Sequence, residues 1–256
     1  MTVLDEIVVG VKADLDSRKA LTPSLDEQIS KTARPIDALT KFGAGPLHVI
    51  AEVKRASPSK GDLAEIVDPV LLAKNYVAGG ATAISVLTEQ RRFKGSMADF
   101  QAVRAAVDVP MLQKDFVVDK YQIQEGYING GNLFLLIVAA LNDADLHNFF
   151  AYGESLGLRA LVEVHNQEEL ERAKALNPSF IGVNSRNLKD LSVDFLTFEK
   201  LIPQIDSSII AVAESGIASR TETKRLEELG AKAILVGETL VRSHNPIEMI
   251  RELRGI

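Results

Sequence analysis

Eight short apolar runs, separated by segments of helical periodicity, constrain the fold of this 256-residue chain. The runs are rich in Ile, Val and Leu and do not alternate with polar residues, which is typical of strands buried on both faces. They comprise Leu47–Val53, Ala83–Leu87, Pro110–Leu112, Phe134–Val138, Ala160–Val164, Phe180–Val183, Ile209–Ala213 and Ala233–Val236.

The intervening segments carry apolar residues at helical spacing and end at stop signals, either Gly or Asn followed by Pro. Repeated strand–helix units predict a parallel sheet, and eight of them predict an α/β protein with a closed (β/α)8 TIM barrel. A doubly wound open sheet is the alternative, but it often has a glycine-rich first turn, which is absent here. The clearest helical segments are Pro69–Val77, Asp143–Leu156, Gln167–Leu176 and Ser219–Leu229.

Residues 1–46 contain no strand-like run and are predicted to form a helical extension. Apolar residues recur at helical spacing from Val3 to Val11, which indicates one long helix. Thr22-Pro23-Ser24 predicts a turn, and a short helix is expected around Ile36–Phe42, with Pro35 at its first position. We expect this extension to pack over one end of a barrel formed by residues 47–256, giving a single domain over residues 1–256.

Composition narrows the function classes. The chain has no Cys, and its net charge of −6 argues against a nucleic-acid or membrane-surface partner. Four His residues without a metal-binding motif give no indication of a metal site. We therefore expect a cytoplasmic protein without a metal site.

The segment from Ile50 to Gly61 is the most informative single stretch. Glu52 and Lys54 are two positions apart, so on a strand their side chains point to the same face. An acid beside a base at a strand end adds little to stability but is useful in a pocket. The following Ser57–Gly61 segment is predicted to be a ligand-contacting loop.

Polar residues also follow most of the other predicted strands. One Lys or Glu after a strand is usually a solvated surface residue, but the carboxyl ends of barrel strands meet at one mouth, where barrel enzymes carry their chemistry. Several Lys and Glu at one mouth must be paired or used, which favours an active site. Together with Glu52, Lys54 and Ser57, this set includes Glu89, Lys114, Phe116, Glu163, His165, Asn184, Arg186, Glu214, Ser215 and Glu238.

The ends of the seventh and eighth strands carry a second signal. Ser215-Gly216 and Gly237 place backbone amides together, beside a predicted helix start at Glu238. Barrels commonly bind phosphate at this point, although ordinary turn glycines would give the same pattern.

These residues resemble those of the indole-3-glycerol phosphate synthase family. The first matching stretch, from Ile50 to Gly61, is highly specific, and the others follow in order along nearly the whole barrel. The remaining stretches are Ser85–Glu89, Lys114–Phe116, Leu135–Leu141, Leu161–His165, Ile181–Leu188 and Val212–Ile217.

The resemblance implies a lyase of tryptophan biosynthesis. Its reaction closes the indole ring of 1-(2-carboxyphenylamino)-1-deoxyribulose 5-phosphate with loss of carbon dioxide and water. It implies that Lys114 is the general acid and that Lys54 binds the substrate carboxylate, with proton donation by Lys54 left open as an alternative. It also implies that Glu163 serves the dehydration with Glu52 beside it. The small-molecule substrate is expected to react on a monomer, without a metal or cofactor. We also expect Lys54 and Lys114 to lower each other's pKa.

The resemblance assigns the other candidates to substrate binding. Asn184 and Ser215 are implied to hydrogen-bond the substrate, and Arg186 and Glu214 to form a supporting charge shell. The implied phosphate contacts are Ser57, Gly216, Gly237 and Glu238, and the implied apolar wall around the anthranilate ring is Phe116 and Leu135.

One stretch departs from the family pattern. The family usually has Gly-Ala-Asp before the fourth strand, whereas this chain has Gly130-Gly131-Asn132. We expect this change to affect stability more than activity.

Two alternatives remain at this point. A sugar-phosphate isomerase would need Asp or Cys at the ends of the first and seventh strands, where this chain has Glu52 and Glu214. A purely non-catalytic assembly role fits poorly with so many candidate catalytic residues.

Overall fold

A computed structural model describes residues 2–58, 61–63, 66–187 and 190–256. Its parallel strands close into a barrel, because the first strand pairs with the last (Ile50 beside Leu235) and with the second (Ile50 beside Ala83). This confirms the TIM barrel and excludes the open sheet. The barrel strands are β1 (His48–Val53), β2 (Ala83–Leu87), β3 (Met111–Lys114), β4 (Leu133–Ile137), β5 (Arg159–Val164), β6 (Phe180–Asn184), β7 (Ile210–Glu214) and β8 (Ala233–Val236).

Each predicted run lies on one of these strands with small shifts at its ends. The prediction was least accurate for β3, which continues beyond Leu112 to Lys114. Lys114 belongs to the strand because it pairs with Leu87 of β2, and apolar patterning cannot detect a polar residue that is held in a ladder.

Helices alternate with the strands and cover the outside of the barrel. The predicted stops at Gly157 and Gly230 are confirmed, and both glycines have left-handed backbones, with φ of 89° and 106°. The helices are α1 (Val3–Leu21), α2 (Asp26–Lys31), α3 (Pro69–Ala78), α4 (Met97–Arg104), α5 (Lys120–Ile128), α6 (Asp143–Leu156), α7 (Gln167–Lys174), α8 (Leu196–Leu201), α9 (Arg220–Leu229), α10 (Glu238–Val241) and α11 (Pro246–Arg254). No helix among the described residues combines the length and apolarity needed to cross a bilayer.

The core has two layers, which explains why the strands do not alternate. One face of each strand fills the barrel interior, where Ile50, Leu112 and Phe180 are fully buried. The other face packs under the helices, with Phe134 and Phe198 fully buried there.

The N-terminal extension runs along the barrel rather than over one end only. At the start of α1, Leu4 and Ile7 line a cavity at the carboxyl ends of the strands. Farther along the chain, Phe42 packs edge-on against Phe180 at the start of β6, with ring centroids 5.0 Å apart. The predicted helix near Phe42 is shorter than expected: a 3-10 turn spans Ala38–Lys41 and is capped by Asp37 rather than begun by Pro35.

The segment after β1 was predicted to be a loop, and this is wrong for part of it. Ala56–Ser57 and Gly61–Asp62 pair as a short antiparallel hairpin. Ser59 and Lys60 of the same segment lie outside the described residues.

Asn132 lies at the bottom of the barrel and is 8% exposed. Its Oδ1 accepts hydrogen bonds from the Met111 amide (3.0 Å) and Arg104 Nη1 (3.3 Å), and its Nδ2 donates to the Ile36 carbonyl (3.0 Å). The side chain thus joins the extension to the barrel floor. An aspartate could not make the Ile36 bond, because an ionised carboxylate only accepts hydrogen bonds.

Candidate active site

A cavity of about 940 Å³ opens at the carboxyl ends of the strands. Its lining includes every residue to which the family resemblance assigns a role, whereas Glu89 and His165, which were also predicted to lie at the barrel mouth, do not line it. The lining therefore contains Glu52, Lys54, Ser57, Lys114, Phe116, Leu135, Glu163, Asn184, Arg186, Glu214, Ser215, Gly216, Gly237 and Glu238. The barrel geometry brings these residues together, whereas their individual roles stay predictions.

Lys114 lies at the centre of the cavity floor between two carboxylates. Its Nζ is 2.8 Å from Glu163 Oε2 and 2.8 Å from Glu214 Oε2. The Lys114 side chain is 11% exposed, and both carboxylates are nearly inaccessible to solvent. One ammonium group is thus shared by two buried carboxylates. Such a cluster contributes little to stability and is typical of functional sites.

This arrangement sets the protonation of all three groups. Burial alone would lower the pKa of Lys114, but the charges of Glu163 and Glu214 outweigh it and raise that pKa. The expectation of a lowered pKa at Lys114 is therefore wrong, because the carboxylates around it raise that pKa. A lysine held this way stays protonated across the physiological range.

The two carboxylates respond in opposite directions. Burial favours a neutral Glu163, but Lys114 and His165 overcome this effect and hold its pKa well below the usual value. Burial raises the pKa of Glu214 to about 7, and the charge of Glu163 adds to this shift. Glu163 and Glu214 contact the same cation but differ in pKa. Glu163 is therefore an anion, whereas Glu214 can carry a proton near neutral pH.

Glu52 and Lys54 form a second ion pair in the same cavity. Lys54 Nζ lies 2.5 Å from Glu52 Oε1, and the Glu52 side chain is 3% exposed. Glu52 packs against the end of β8, where a Cβ on Gly237 would come within 2.5 Å of its Oε1. A glycine at position 237 thus makes room for a carboxylate that comes from β1.

Asn184 is fixed at both ends of its side-chain amide. Its Nδ2 donates to Glu163 Oε1 at 3.1 Å, and its Oδ1 accepts from the Arg186 backbone amide at 3.0 Å. The Arg186 guanidinium donates to the Leu191 carbonyl at 3.0 Å. These contacts orient Glu163 and tie the loop after β6 to the cavity wall.

The backbone after β7 is left-handed at two successive residues. Ser215 has φ 71° and Gly216 has φ 69°. A non-glycine residue in this region is strained, and such strain concentrates at functional sites. A Cβ on Gly216 would also come within 2.4 Å of Val193, so this turn packs closely against the loop after β6.

The apolar part of the lining contains residues that the sequence did not single out. Beside Phe116 and Leu135 lie Val3, Leu4 and Ile7 of α1. Their helical spacing was visible in the sequence, but spacing cannot say where a helix docks. The other unpredicted lining residues include Phe93, whose ring centroid lies 5.8 Å from that of Phe116, and Arg242, whose Nε lies 3.4 Å from Glu238 Oε1.

Within the ranges that the structure describes, no three His, Asp or Glu side chains are grouped so that they could hold a metal ion.

Comparison with known proteins gives one family. A family model described as indole-3-glycerol phosphate synthase matches residues 4–253. A protein named indole-3-glycerol phosphate synthase from Nocardioides sp. is 51% identical, over 100% of this chain and 99% of its own length. One of the same name from Paenarthrobacter aurescens is 52% identical, over 100% of this chain and 96% of its own length.

Two solved structures with low sequence identity are similar to this chain in fold only. A thiamine phosphate pyrophosphorylase from Pyrococcus furiosus is similar with a TM-score of 0.61 at 16% identity, over 82% of this chain and 94% of its own. A 3-hexulose-6-phosphate synthase is similar with a TM-score of 0.63 at 14% identity, over 82% of this chain and 99% of its own.

Proposed function

This chain belongs to the indole-3-glycerol phosphate synthase family, and we propose that it closes the indole ring of 1-(2-carboxyphenylamino)-1-deoxyribulose 5-phosphate, releasing carbon dioxide and water. The observation that carries this proposal is the buried cluster in which Lys114 contacts Glu163 and Glu214 at 2.8 Å each. Within one cavity, this cluster provides a lysine that stays protonated (Lys114), an ionised carboxylate (Glu163) and an acid that titrates near neutral pH (Glu214).

Ring closure requires an aromatic carbon to attack the ketone of the substrate, which places negative charge on the ketone oxygen. Lys114 supplies a proton to that oxygen as it becomes an alkoxide. Its raised pKa does not prevent this step, because an alkoxide is more basic than an amine. The same ammonium group stabilises the charge as it develops, without water to screen it.

Carbon dioxide leaves after ring closure. The electron pair of the broken carbon–carbon bond stays with the ring and restores its aromaticity. Lys54 is positioned to bind the substrate carboxylate, since it lies at the mouth with its side chain 20% exposed. Glu52 holds Lys54 in place through their ion pair.

Dehydration then needs a base and an anion that stabilises a cationic intermediate. Glu163 suits this role because Lys114 and His165 keep its carboxylate ionised although it is buried. Asn184 and Ser215 hydrogen-bond the substrate, and Arg186 and Glu214 complete the charge shell.

The substrate phosphate binds where the loops after β7 and β8 approach the hairpin after β1. We assign the contacts to Ser57 and to the backbone amides of Gly216, Gly237 and Glu238. Phe116 and Leu135 form the apolar wall for the anthranilate ring, and this wall favours a planar aromatic substrate over a simple sugar phosphate.

The enzyme acts as a monomer in the cytoplasm, without a metal or cofactor, and with a small-molecule substrate rather than a nucleic acid. One observation supports the monomer: a single chain supplies all the assigned residues. Sedimentation at micromolar concentration tests this part.

The experiment that tests the function is incubation of the purified protein with the substrate while indole fluorescence is followed. Lys114→Ala should lower turnover by at least about 100-fold, because it removes both the acid and the local positive charge. Lys224→Ala, at an exposed position of α9, is the matched control. Absence of indole-ring formation by the unmodified protein, or near-normal turnover by folded Lys114→Ala, would contradict the proposal.

A further inference from the structure

His165 follows β5 by one residue and extends the inward-facing series of that strand. Its two ring nitrogens face two different carboxylates. Nδ1 lies 2.9 Å from Glu169 Oε2, and Nε2 lies 3.2 Å from Glu163 Oε1. The side chain is 10% exposed, so water competes little for either contact.

The two carboxylates favour a His165 ring that is protonated on both nitrogens. An ionised carboxylate has no proton to donate, so Nδ1 is the donor in its hydrogen bond with Glu169 Oε2. Nε2 makes no hydrogen bond among the described residues and contacts Glu163 Oε1 as an ion-pair partner. A neutral imidazole would leave one lone pair against a carboxylate oxygen. The pKa of His165 agrees with this assignment: burial lowers it, but Glu163 and Glu169 outweigh that effect and raise it to about 9.

Glu169 is itself held at both oxygens. Its Oε2 accepts from the His165 backbone amide at 2.8 Å as well as from Nδ1, and its Oε1 accepts from Asn166 Nδ2 at 2.6 Å. The ring of His165 is thus fixed between the start of α7 and the active-site carboxylate.

The charged groups form a chain of alternating sign across the barrel mouth. Glu169 of α7 and Glu163 of β5 lie on either side of His165, and Lys114 of β3 follows on the other oxygen of Glu163. Asn184 of β6 donates to the same Oε1 that His165 approaches. Glu163 therefore has a cation on each side, and its own position is set by both.

We propose that His165, held by Glu169, is a positioning residue that keeps the Glu163 carboxylate oriented and ionised for its work on the substrate. The proposal rests on the proposed function, in which Glu163 serves the dehydration step. His165 does not line the cavity itself and acts through Glu163.

The expected effect follows from removing one of two cations beside a buried acid. In His165→Ala, Glu163 should bind a proton more readily, so the acid limb of the pH profile of kcat should move to higher pH. We expect kcat at neutral pH to fall about 10- to 100-fold, with a much smaller change in KM, since the cavity lining is intact.

Two further variants separate charge from shape. His165→Asn keeps a donor of similar size without the charge, so it should retain the folded structure and still show the shifted acid limb. Glu169→Gln removes the outer carboxylate, so the pKa of His165 should fall. The alkaline limb of the pH profile of kcat should then move to lower pH. His147→Ala, at an exposed position of α6, is the matched control.

A measurement without substrate tests the protonation directly. In the intact protein with ¹⁵N-labelled histidine, both ring nitrogens of His165 should have imidazolium shifts at pH 7.5, and His165→Asn identifies the signal. A neutral ring at that pH would overturn the proposal. So would folded His165→Ala and His165→Asn enzymes whose acid limb matches the unmodified protein. If the unmodified protein forms no indole-ring product while the imidazole of His165 is cationic, the proposed function fails, and the role of His165 in it fails with it.

Discussion

Gly182 of β6 leaves the space that the Glu214 carboxylate of β7 occupies. A Cβ at position 182 would come within 2.1 Å of Glu214 Oε1. This close approach lets Glu214 reach Lys114, so the absence of a side chain on one strand positions an acid on the next.

Gly182→Ala should therefore displace the Glu214 carboxylate and disturb Lys114. We expect turnover to fall about 100-fold, the usual result of moving a catalytic group by about an ångström. The steady-state rate of indole-ring formation measures this, and Gly43→Ala, where a Cβ meets nothing within 4 Å, is the control. Equal turnover in both variants would show that the position of Glu214 is unimportant.

The α1 helix supplies part of the apolar wall of the cavity. Replacing Ile7 with Ser should raise KM roughly fivefold with little change in kcat, because about 1 kcal/mol of apolar contact is lost. Val9→Ser changes the same helix at a residue that is 60% exposed and should have no such effect. If the two variants bind substrate equally well, α1 does not contact the substrate.

Glu125 on α5 pairs with Arg18 of α1 at 3.0 Å. Burial raises the pKa of Glu125 to about 7, against an ordinary value of 4.5, despite the opposing charge of Arg18. Between these values the folded state binds a proton that the unfolded state lacks, so this group contributes stability at low pH that is lost as the pH rises through about 7.

The Glu125→Gln variant should therefore lack part of the pH dependence of unfolding. The difference in free energy of unfolding between the variant and the unmodified protein should change by up to about 3 kcal/mol from pH 4.5 to 7.5. Urea denaturation at several pH values measures it. Glu228→Gln, at an exposed position of α9, should give a constant difference, and the same constancy for Glu125→Gln would refute the assignment.

Asn132 donates one side-chain hydrogen bond and accepts two, whereas an ionised carboxylate in its place could only accept. Asn132→Asp should destabilise the protein by about 1–3 kcal/mol at neutral pH, because a carboxylate oxygen then faces the Ile36 carbonyl. Asn245→Asp is the control, since Asn245 caps α11 as an acceptor and Asp caps equally well. Thermal denaturation should distinguish the two variants; activity should change little in either.

Much of the fold could be predicted from local pattern. The runs on β2 and β8 were predicted with their observed bounds, because residues buried on both faces leave an unbroken apolar signal. Lys114 was harder to place on a strand, since a charged residue in a ladder looks like a loop residue. The path of α1 could not be predicted, because an apolar stripe indicates that a helix docks but not where.

The sequence by itself determined the barrel, through the repeated strand–helix pattern, and the set of polar residues at its mouth, through their positions after the strands. Only the tertiary structure decided which of those residues touch. Lys114 and Glu214 are 100 positions apart, and they meet because strand register and Gly182 bring them together. The carboxylates beside Lys114 and His165 keep both groups charged, and burial raises the pKa of Glu214 so that it can hold a proton; no sequence pattern contains either effect.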